Sequence, residues 1–283
     1  MDITLTQKIL AQGMDPETVA QQIDNFKNGF PFLKIHAPAT PGHGIKVLSD
    51  QELKHYTETY PAQAAKKEIV KFVPASGAAS RMFKDLFSFL DGDGDLEKSA
   101  FTKKFIENIR KFAFTEDLDE ALQAKGNTLQ ECLDAGMYRA IVAGLLLHEG
   151  LDYGSLPKGL LRFHRYPSEN RTPAHEHLIE GVQYAVGRGK KVKIHFTVSP
   201  EHETKFKAEI AKVLPAIKAT SGLEFEVSYS QQKKTTDTIA VNMDNTAFLE
   251  DDGSLLFRPA GHGALLENLN DIKADLIFIK NID

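Results

Sequence analysis

A run of small residues that ends in an arginine, Ser76-Gly77-Ala78-Ala79-Ser80-Arg81, directly follows the apolar segment 69–74. The apolar segment is typical of a buried strand, and the pattern after Arg81 is typical of a helix. N–H groups at the start of a helix lack backbone partners and the helix dipole attracts anions, so such a turn can bind phosphate. Gly77 would let a ligand approach the backbone, and Arg81 could reach back to the phosphate. Small-residue turns also occur for packing alone, so both interpretations stay open.

Five segments resemble, in the same order, motifs of the nucleotide-diphospho-sugar transferase superfamily. They are Phe72–Met82, similar to the G-x-G-T-R signature of sugar nucleotidyltransferases; Leu156–Gly159, similar to a P-K-G element; Tyr229–Gln232, similar to the F-x-Q segment of UDP-sugar pyrophosphorylases; Pro259–Leu265, similar to a P-x-G-N-G loop; and Ile279–Asp283, similar to a strand ending in a metal-positioning aspartate. The closest overall likeness is to the bacterial domain-of-unknown-function 4301 family within this superfamily, and it covers essentially the whole chain.

The resemblance implies an Mg²⁺-dependent nucleotidyltransferase that joins a nucleoside triphosphate to a sugar phosphate or similar acceptor and releases pyrophosphate. Such a reaction depends mainly on positioning and charge neutralisation. The residue roles that the resemblance implies are Ser76, Gly77 and Ala78 for the base and phosphates, Arg81 for the triphosphate, Lys158 for the transferring phosphoryl group, Gln231 for the base edge, Gly261, His262 and Gly263 for base or sugar, and Asp283 for the metal ion.

The sequence departs from the superfamily pattern at several positions. Ala79 replaces the second glycine of the signature, Ser80 replaces its threonine, and His262 stands where the pyrophosphorylases have asparagine. Lys158 also lies unusually far from the loop, so a helical insertion must fold outside the sheet if the two are to meet. Lys158 can equally be a solvated turn residue, and Asp283 can belong to a frayed end. A nucleotide- or nucleotide-sugar-binding module without turnover is therefore the alternative.

The order of predicted elements favours an α/β fold with a mostly parallel sheet, which the resemblance specifies as a Rossmann-like GT-A nucleotidyltransferase fold. We expect a helical N-terminal region over residues 1–66 and a nucleotide-binding α/β domain over 67–283, with a helical insertion at about 85–156. The predicted strands cover 69–74, 160–164, 191–198, 223–229 and 276–279. Because superfamily enzymes continue beyond the metal aspartate, we expect this chain to be truncated at its C-terminal end and inactive alone.

The composition excludes several classes of protein. The 283 residues carry a net charge of −5 without a basic block, so we expect no nucleic-acid partner. The single cysteine, Cys132, predicts core packing in a reducing cytosol, and we expect a cytoplasmic protein. No segment approaches the roughly 20 apolar residues of a membrane span, so we expect no membrane association. The oligomeric state is not indicated by the sequence.

Three further groups of residues resemble metal- or phosphate-binding sites, but each has a simpler explanation. The run Asp91-Gly92-Asp93-Gly94-Asp95 begins like a calcium loop, but Leu96 and Thr102 occupy the positions of its glycine and closing glutamate. We expect an acidic surface turn there. The histidines of His175-Glu176-His177 face different sides of a helix, so they cannot form a zinc motif. A cationic group, Arg162, His164, Arg165 and Arg171, is either a solvated rim or a contact for a phosphate.

Overall fold

A computed structural model describes residues 3–77 and 79–283, except for the side chains of Ser80 and His262. In this part of the chain there are eleven α-helices and eleven strands. The helices are α1 (Ile3–Ala11), α2 (Pro16–Asn28), α3 (Asp50–Ala64), α4 (Lys84–Asp91), α5 (Ala100–Glu107), α6 (Thr115–Gln123), α7 (Leu129–Asp134), α8 (Tyr138–Leu146), α9 (Pro173–Tyr184), α10 (Glu203–Ser221) and α11 (Leu266–Asn270). The strands are β1 (Thr40–Pro41), β2 (Gly44–Ile45), β3 (Ile69–Pro74), β4 (His164–Arg165), β5 (Asn170–Arg171), β6 (Val186–Gly187), β7 (Lys191–Thr197), β8 (Glu224–Ser230), β9 (Thr238–Ile239), β10 (Phe257–Arg258) and β11 (Leu276–Ile279). The chain is thus an α/β protein, as the order of apolar segments predicted.

The chain forms two compact units. Unit 1 contains the residues up to Glu68 together with Gln232–Ala274, and unit 2 contains Ile69–Gln231 and Asp275–Asp283. The predicted boundary between residues 66 and 67 lies close to the point at which the chain passes from unit 1 to unit 2, between Glu68 and Ile69. Residues 232–274, which the sequence analysis included in the α/β domain, make their contacts with the N-terminal residues in unit 1.

Unit 1 is built around the first two helices. Asp15 caps α2 by accepting hydrogen bonds from the N–H groups of Glu17 and Thr18, as the Asp15-Pro16 pair predicted. The core joins both parts of the unit and consists of Ile9, Met14, Val19, Ile239 and Leu255. These apolar contacts explain why the late segment packs with the early one.

The main sheet lies in unit 2. Strands β11, β3, β7 and β8 are adjacent in that order and all parallel, while the short β6 pairs antiparallel with the beginning of β7. The sheet is therefore mixed, with a parallel centre. Every residue of β3 is buried, which explains its continuous apolar run. Of the predicted strands, 69–74, 191–198, 223–229 and 276–279 are confirmed within one residue at each end.

Helices α9 and α10 cover one face of this sheet. Thr172 caps α9, and its hydroxyl accepts a hydrogen bond from the N–H of His175. A single core joins the two helices to β7, and its buried members include Ala174, Leu178, Val192, Ile194, Phe196, Phe206 and Ile210. Alternate residues of β7 thus point into the core, and the intervening residues Lys193, His195 and Thr197 point to the opposite face.

Helices α4 to α8 form the helical insertion that the 3.6-residue periodicity predicted. They have a core of their own, which contains Phe105, Leu118, Ile141 and Leu145. Cys132 is buried in it, which confirms its expected packing role. In the described part of the chain, no helix has the length and apolar character needed to span a membrane.

The predicted strand at 160–164 is wrong. Lys158–Leu160 form a 3-10 turn, and the N–H of Leu161 donates to the carbonyl of Lys158. Leu160 packs against the sheet core while Leu161 is buried in the helical core, so neighbouring residues point to opposite sides as they would in a strand. This alternation imitates strand periodicity without strand geometry.

Candidate functional site

The candidate site lies at the carboxyl edge of the parallel sheet in unit 2. Because parallel strands end at the same edge, the residues after β3, β7, β8 and β11 lie together there. In open α/β sheets, ligands bind outside this edge, where the strand order reverses. From β3 the chain proceeds to β7 and β8 on one side, whereas β11 lies on the other side of β3. The residues that follow β3 therefore occupy the usual position of a ligand site.

The predicted phosphate loop begins at the end of β3. Ser76 is half-buried and Gly77 is exposed, and a Cβ added to Gly77 would meet no atom within 4 Å. Space next to this backbone is what an approaching ligand needs. Ala78 and the side chain of Ser80 lie outside the described residues.

The end of the loop has a different environment. Ala79 is fully buried in the core of the helical insertion, so its small size has a packing explanation. A 3-10 turn, Ser80–Phe83, precedes α4, so the regular helix begins three residues after the predicted start near Arg81. Arg81 itself is exposed in this turn.

Lys158 lies beside the loop despite its distance along the chain. Its backbone N–H donates to the carbonyl oxygen of Gly77 over 3.4 Å. Its ammonium group forms an ion pair with the carboxylate of Asp283. Three of the predicted site residues thus meet at one edge of the sheet, with the insertion folded into its own core, as the sequence analysis required.

The segment after β11 is fastened along the same edge. The N–H of Lys280 donates to the carbonyl of Phe72 over 3.1 Å, and Nε2 of His177 lies 3.2 Å from the carbonyl oxygen of Ile282. Ile282 is buried against Gly159 and Phe206. These contacts place Asp283 at Lys158.

A network of charged side chains around the buried Lys71 connects the elements at this edge. Lys71 of β3 is fully buried and donates to Glu180 Oε2 over 2.8 Å and to the carbonyl of His177 over 3.0 Å. Glu180 also accepts from Lys280 over 2.5 Å and from the hydroxyl of Tyr184 over 3.0 Å. The network links the central strand, α9 and the segment after β11.

Burial and hydrogen bonds together set the pKa values of this network. It lowers the pKa of Lys71 to about 8, although Glu180 favours the charged form. Burial would raise the pKa of Glu180, but hydrogen bonds from Lys280 and Lys71 outweigh it and lower that pKa to about 2. Burial, reinforced by the charge of Lys71, lowers the pKa of His177 to about 4. His177 is therefore neutral near pH 7, and its Nε2–H donates to Ile282.

The donors at this edge do not fit a magnesium site held by the protein alone. No group of three or more His, Cys, Asp or Glu side chains in the described part of the chain is arranged to hold a metal ion. The carboxylate of Asp283 is paired with an ammonium group, which disfavours a divalent cation at the same oxygen atoms. Magnesium at Asp283 stays a prediction.

The other predicted nucleotide contacts are divided between the two units. Gln231 follows β8 at the same sheet edge, and its amide donates to Glu203 Oε2 over 2.9 Å. Gly261 and Gly263 belong to unit 1, where Gly261 precedes the 3-10 turn His262–Leu265. A Cβ at either glycine would meet no atom within 4 Å, and the side chain of His262 lies outside the described residues.

Three polar side chains at the end of β7 escaped the sequence analysis. Within the described residues, Thr197 Oγ1, Ser199 Oγ and His202 Nδ1 are buried atoms without a hydrogen-bond partner. In the sequence, Thr197 has the pattern of an ordinary strand end, and Ser199 has that of a helix cap. Only the location of strand ends in a parallel sheet could have drawn attention to them.

The cationic group contributes little free positive charge. Arg162 pairs with Asp117 at 2.5 Å, and Arg171 pairs with Glu169 and Glu176. Arg165 donates to the carbonyl of Arg110. An open cleft of about 680 Å³ is lined by Arg162 and Arg165 and also by the carboxylates of Glu116, Asp117, Glu120 and Glu169. This mixed lining does not favour a phosphate.

The two motifs that the sequence analysis discounted are structural. Asp93 accepts hydrogen bonds from Asp95 and Lys98, and Asp95 caps the following 3-10 turn. His175 and His177 are both buried, and His177 is bonded to Ile282.

Comparison with known proteins identifies the family. The family model described as "Domain of unknown function (DUF4301)" matches residues 4–283, so the chain belongs to this family. No curated protein and no solved structure matches the chain.

Proposed function

We propose that this member of the DUF4301 family binds a nucleoside triphosphate at the carboxyl edge of the unit 2 sheet and transfers its nucleotidyl group to a sugar phosphate or similar acceptor. One observation carries the proposal: Lys158 contacts the carbonyl of Gly77 while its ammonium group lies at the same edge. A positive charge next to an open, glycine-containing loop is what a phosphate group requires. The proposal includes the finer assignment of the fold to the Rossmann-like GT-A type.

In the proposed reaction, an oxygen atom of the acceptor phosphate attacks the α-phosphorus of the nucleotide. The bond from that phosphorus to the bridging oxygen breaks, and pyrophosphate leaves with the electron pair. The N–H groups of Ser76, Gly77 and Ala78 bind the phosphates, Arg81 contacts the triphosphate and Lys158 neutralises charge on the transferring group. Magnesium, when bound, would supply further charge neutralisation.

Further residues are proposed to recognise the base and the acceptor. Gln231 reads the base edge in the proposal, since it follows β8 at the same edge of the sheet. The loop Gly261-His262-Gly263 is proposed to lie against base or sugar, and the exposure of both glycines supports a role in ligand contact.

The second candidate is a nucleotide- or nucleotide-sugar-binding module without turnover. Two observations favour it. Ala79, which replaces a glycine of the superfamily signature, is buried in a core, and the carboxylate of Asp283 is paired with Lys158. Both features leave phosphate binding possible while removing parts of the catalytic arrangement.

The test is pyrophosphate release from the four ribonucleoside triphosphates with a panel of sugar phosphates, with and without Mg²⁺, beside thermal-shift titrations of the same ligands. We expect Lys158→Ala to lower turnover about 100-fold, as expected when one electrostatic stabiliser is lost. The matched control is Lys218→Ala, because Lys218 pairs with Glu224 at the opposite edge of the sheet.

The outcomes separate the candidates. Turnover that depends on Lys158 but not on Lys218 supports the transferase, and ligand-induced stabilisation without turnover supports the binding module. If Arg81→Ala and Lys158→Ala change neither binding nor turnover for any nucleotide, the proposed phosphate site is wrong.

A further inference from the structure

A ladder of polar side chains runs along the face of β7 and β8 that points away from α9 and α10. Three pairs of residues are in register across the two strands: Lys193 with Glu226, His195 with Ser228, and Thr197 with Ser230. The third row lies at the carboxyl edge of the sheet, next to the proposed nucleotide site.

The first two rows are satisfied within the protein. Lys193 lies 3.5 Å from Glu226. The two ring nitrogens of His195 each lie 2.8 Å from a serine hydroxyl, that of Ser228 at Nδ1 and that of Ser230 at Nε2. The ring of His195 also stacks on Phe72. These rows therefore have structural roles.

The third row differs. Thr197 is fully buried, yet its hydroxyl has no partner in the described part of the chain. The same holds for the buried Ser199 Oγ and His202 Nδ1, so three unpaired polar atoms fall within six residues. Buried polar atoms are almost always hydrogen-bonded, so unpaired atoms at this sheet edge mark a place where a bound molecule can supply the partners.

The position of the cluster indicates which molecule supplies them. The N–H of Ala75, just before the phosphate loop, donates to the carbonyl of Thr197 over 2.8 Å. The cluster thus adjoins the loop that is proposed to bind phosphate. Hydroxyl and imidazole groups can both donate and accept hydrogen bonds, as sugar hydroxyls do.

We propose that Thr197, Ser199 and His202 form a subsite that binds the hydroxyl groups of the sugar attached to the nucleotide's terminal phosphate. The subsite rests on the proposed function, since the phosphate loop and Lys158 must bind the diphosphate beside it. Its residues determine specificity for a sugar, and the phosphates are bound by other groups.

The experiment compares nucleotide sugars with the matching nucleoside diphosphates. Affinities for UDP-glucose, ADP-glucose and GDP-mannose and for UDP, ADP and GDP are measured by calorimetry on the full chain. We expect Thr197→Val and Ser199→Ala each to weaken the preferred nucleotide sugar about 10-fold, the effect of one lost hydrogen bond, and to leave its diphosphate unchanged. Thr197→Val preserves the side-chain shape and breaks no bond in the protein, so it should not lower the unfolding temperature.

Thr115→Val is the matched control, because the buried hydroxyl oxygen of Thr115 lies 2.7 Å from the carbonyl oxygens of Ile109 and Phe112 and donates its single proton to this pair. It should lower the unfolding temperature without changing the ratio of the two affinities. Equal affinity losses for sugar and diphosphate forms, or no loss in either, would overturn the subsite while leaving the proposed function intact. If the wild-type chain binds none of the six ligands, both proposals fail.

Discussion

Nζ of Lys71 lies 2.8 Å from Oε2 of Glu180, which joins the central strand to a helix 109 residues later in the chain. Lys71 has no exposed surface, so Glu180 and the carbonyl of His177 replace its hydration. Glu180 has a second cation, Lys280, at 2.5 Å. Removing Glu180 therefore leaves the ammonium group of Lys71 without a counter-ion, whereas removing Lys71 leaves Glu180 paired with Lys280.

We predict that Glu180→Gln costs more stability than Lys71→Met. The glutamine variant leaves a buried ammonium without its counter-ion, and we expect a loss of about 3 kcal/mol in the free energy of unfolding. The methionine variant removes the buried charge, and Glu180 keeps Lys280, so the loss should be smaller. Urea unfolding measures both, with Glu226→Gln as an exposed control expected to cost less than about 1 kcal/mol. Equal losses for the two variants at residues 71 and 180 would contradict this account.

Acidification should destabilise the protein through His177. Its pKa is lowered to about 4 in the folded state, below the ordinary value of 6.5, so between these pH values the unfolded chain binds more protons. The stability is complete above pH 6.5 and falls as the pH approaches 4, by roughly 2 kcal/mol between pH 7 and pH 5.

Urea unfolding at pH 7 and pH 5 tests this prediction. His177→Gln keeps an N–H donor for the carbonyl of Ile282 but has no titrating group, so its stability should depend less on pH. The same pH dependence in wild type and variant would show that His177 is not responsible.

Alanine substitution should lower the stability at one glycine near the site and leave it almost unchanged at another. A Cβ at Gly159 would clash with Phe206 and lie 3.1 Å from Ile282, so Gly159→Ala should cost about 1–3 kcal/mol and displace the segment after β11. A Cβ at Gly77 would meet nothing within 4 Å, so Gly77→Ala should change stability by less than about 0.5 kcal/mol.

The alanine at residue 77 should nevertheless weaken nucleotide binding, because it occupies the space that the phosphates need. Thermal unfolding with and without nucleotide separates the two effects. Undiminished nucleotide binding by Gly77→Ala would mean that the ligand does not approach this backbone.

The Asp283→Asn variant distinguishes two roles for Asp283. Its carboxylate either competes with phosphate groups for Lys158 or binds a metal ion. Without Mg²⁺, Asp283→Asn should tighten pyrophosphate binding about two- to fivefold, since the carboxylate no longer competes for the ammonium group. If Asp283 positions magnesium, the same variant should bind a nucleotide more weakly than wild type when Mg²⁺ is present. Calorimetry in both buffers decides, and unchanged affinities in both would exclude either role.

Apolar periodicity predicted the four long strands of the sheet and the helical insertion, because burial dictates those patterns directly. It failed at Leu160 and Leu161, where two separate cores attract neighbouring side chains and imitate a strand. It also gave no indication that residues 232–274 pack with the first helices, since long-range partnership has no local pattern.

The motifs predicted that Lys158, Gly77 and Asp283 belong together, and the structure places them at one edge. The sequence could not reveal that Asp283 is paired with Lys158, or that Ala79 is small because a core surrounds it. Thr197 and Ser199 were missed for the same reason, because an unpaired hydroxyl is a property of its surroundings.

The division into two units has a consequence for the order of folding. The chain passes between the units at residues 68–69, 231–232 and 274–275, so each is assembled from two separated stretches. β3, in the middle of the sheet, obtains its neighbour β11 only from residues 276–279, which are synthesised more than 200 residues later. Until β11 is synthesised, the backbone groups of β3 that pair with it have no partner. Pairing the two strands then closes a loop of about 200 residues, which costs conformational entropy. Each unit is discontinuous in the sequence. A nascent chain that stalls before residue 276 would leave β3 without β11, and such an unpaired strand edge favours aggregation.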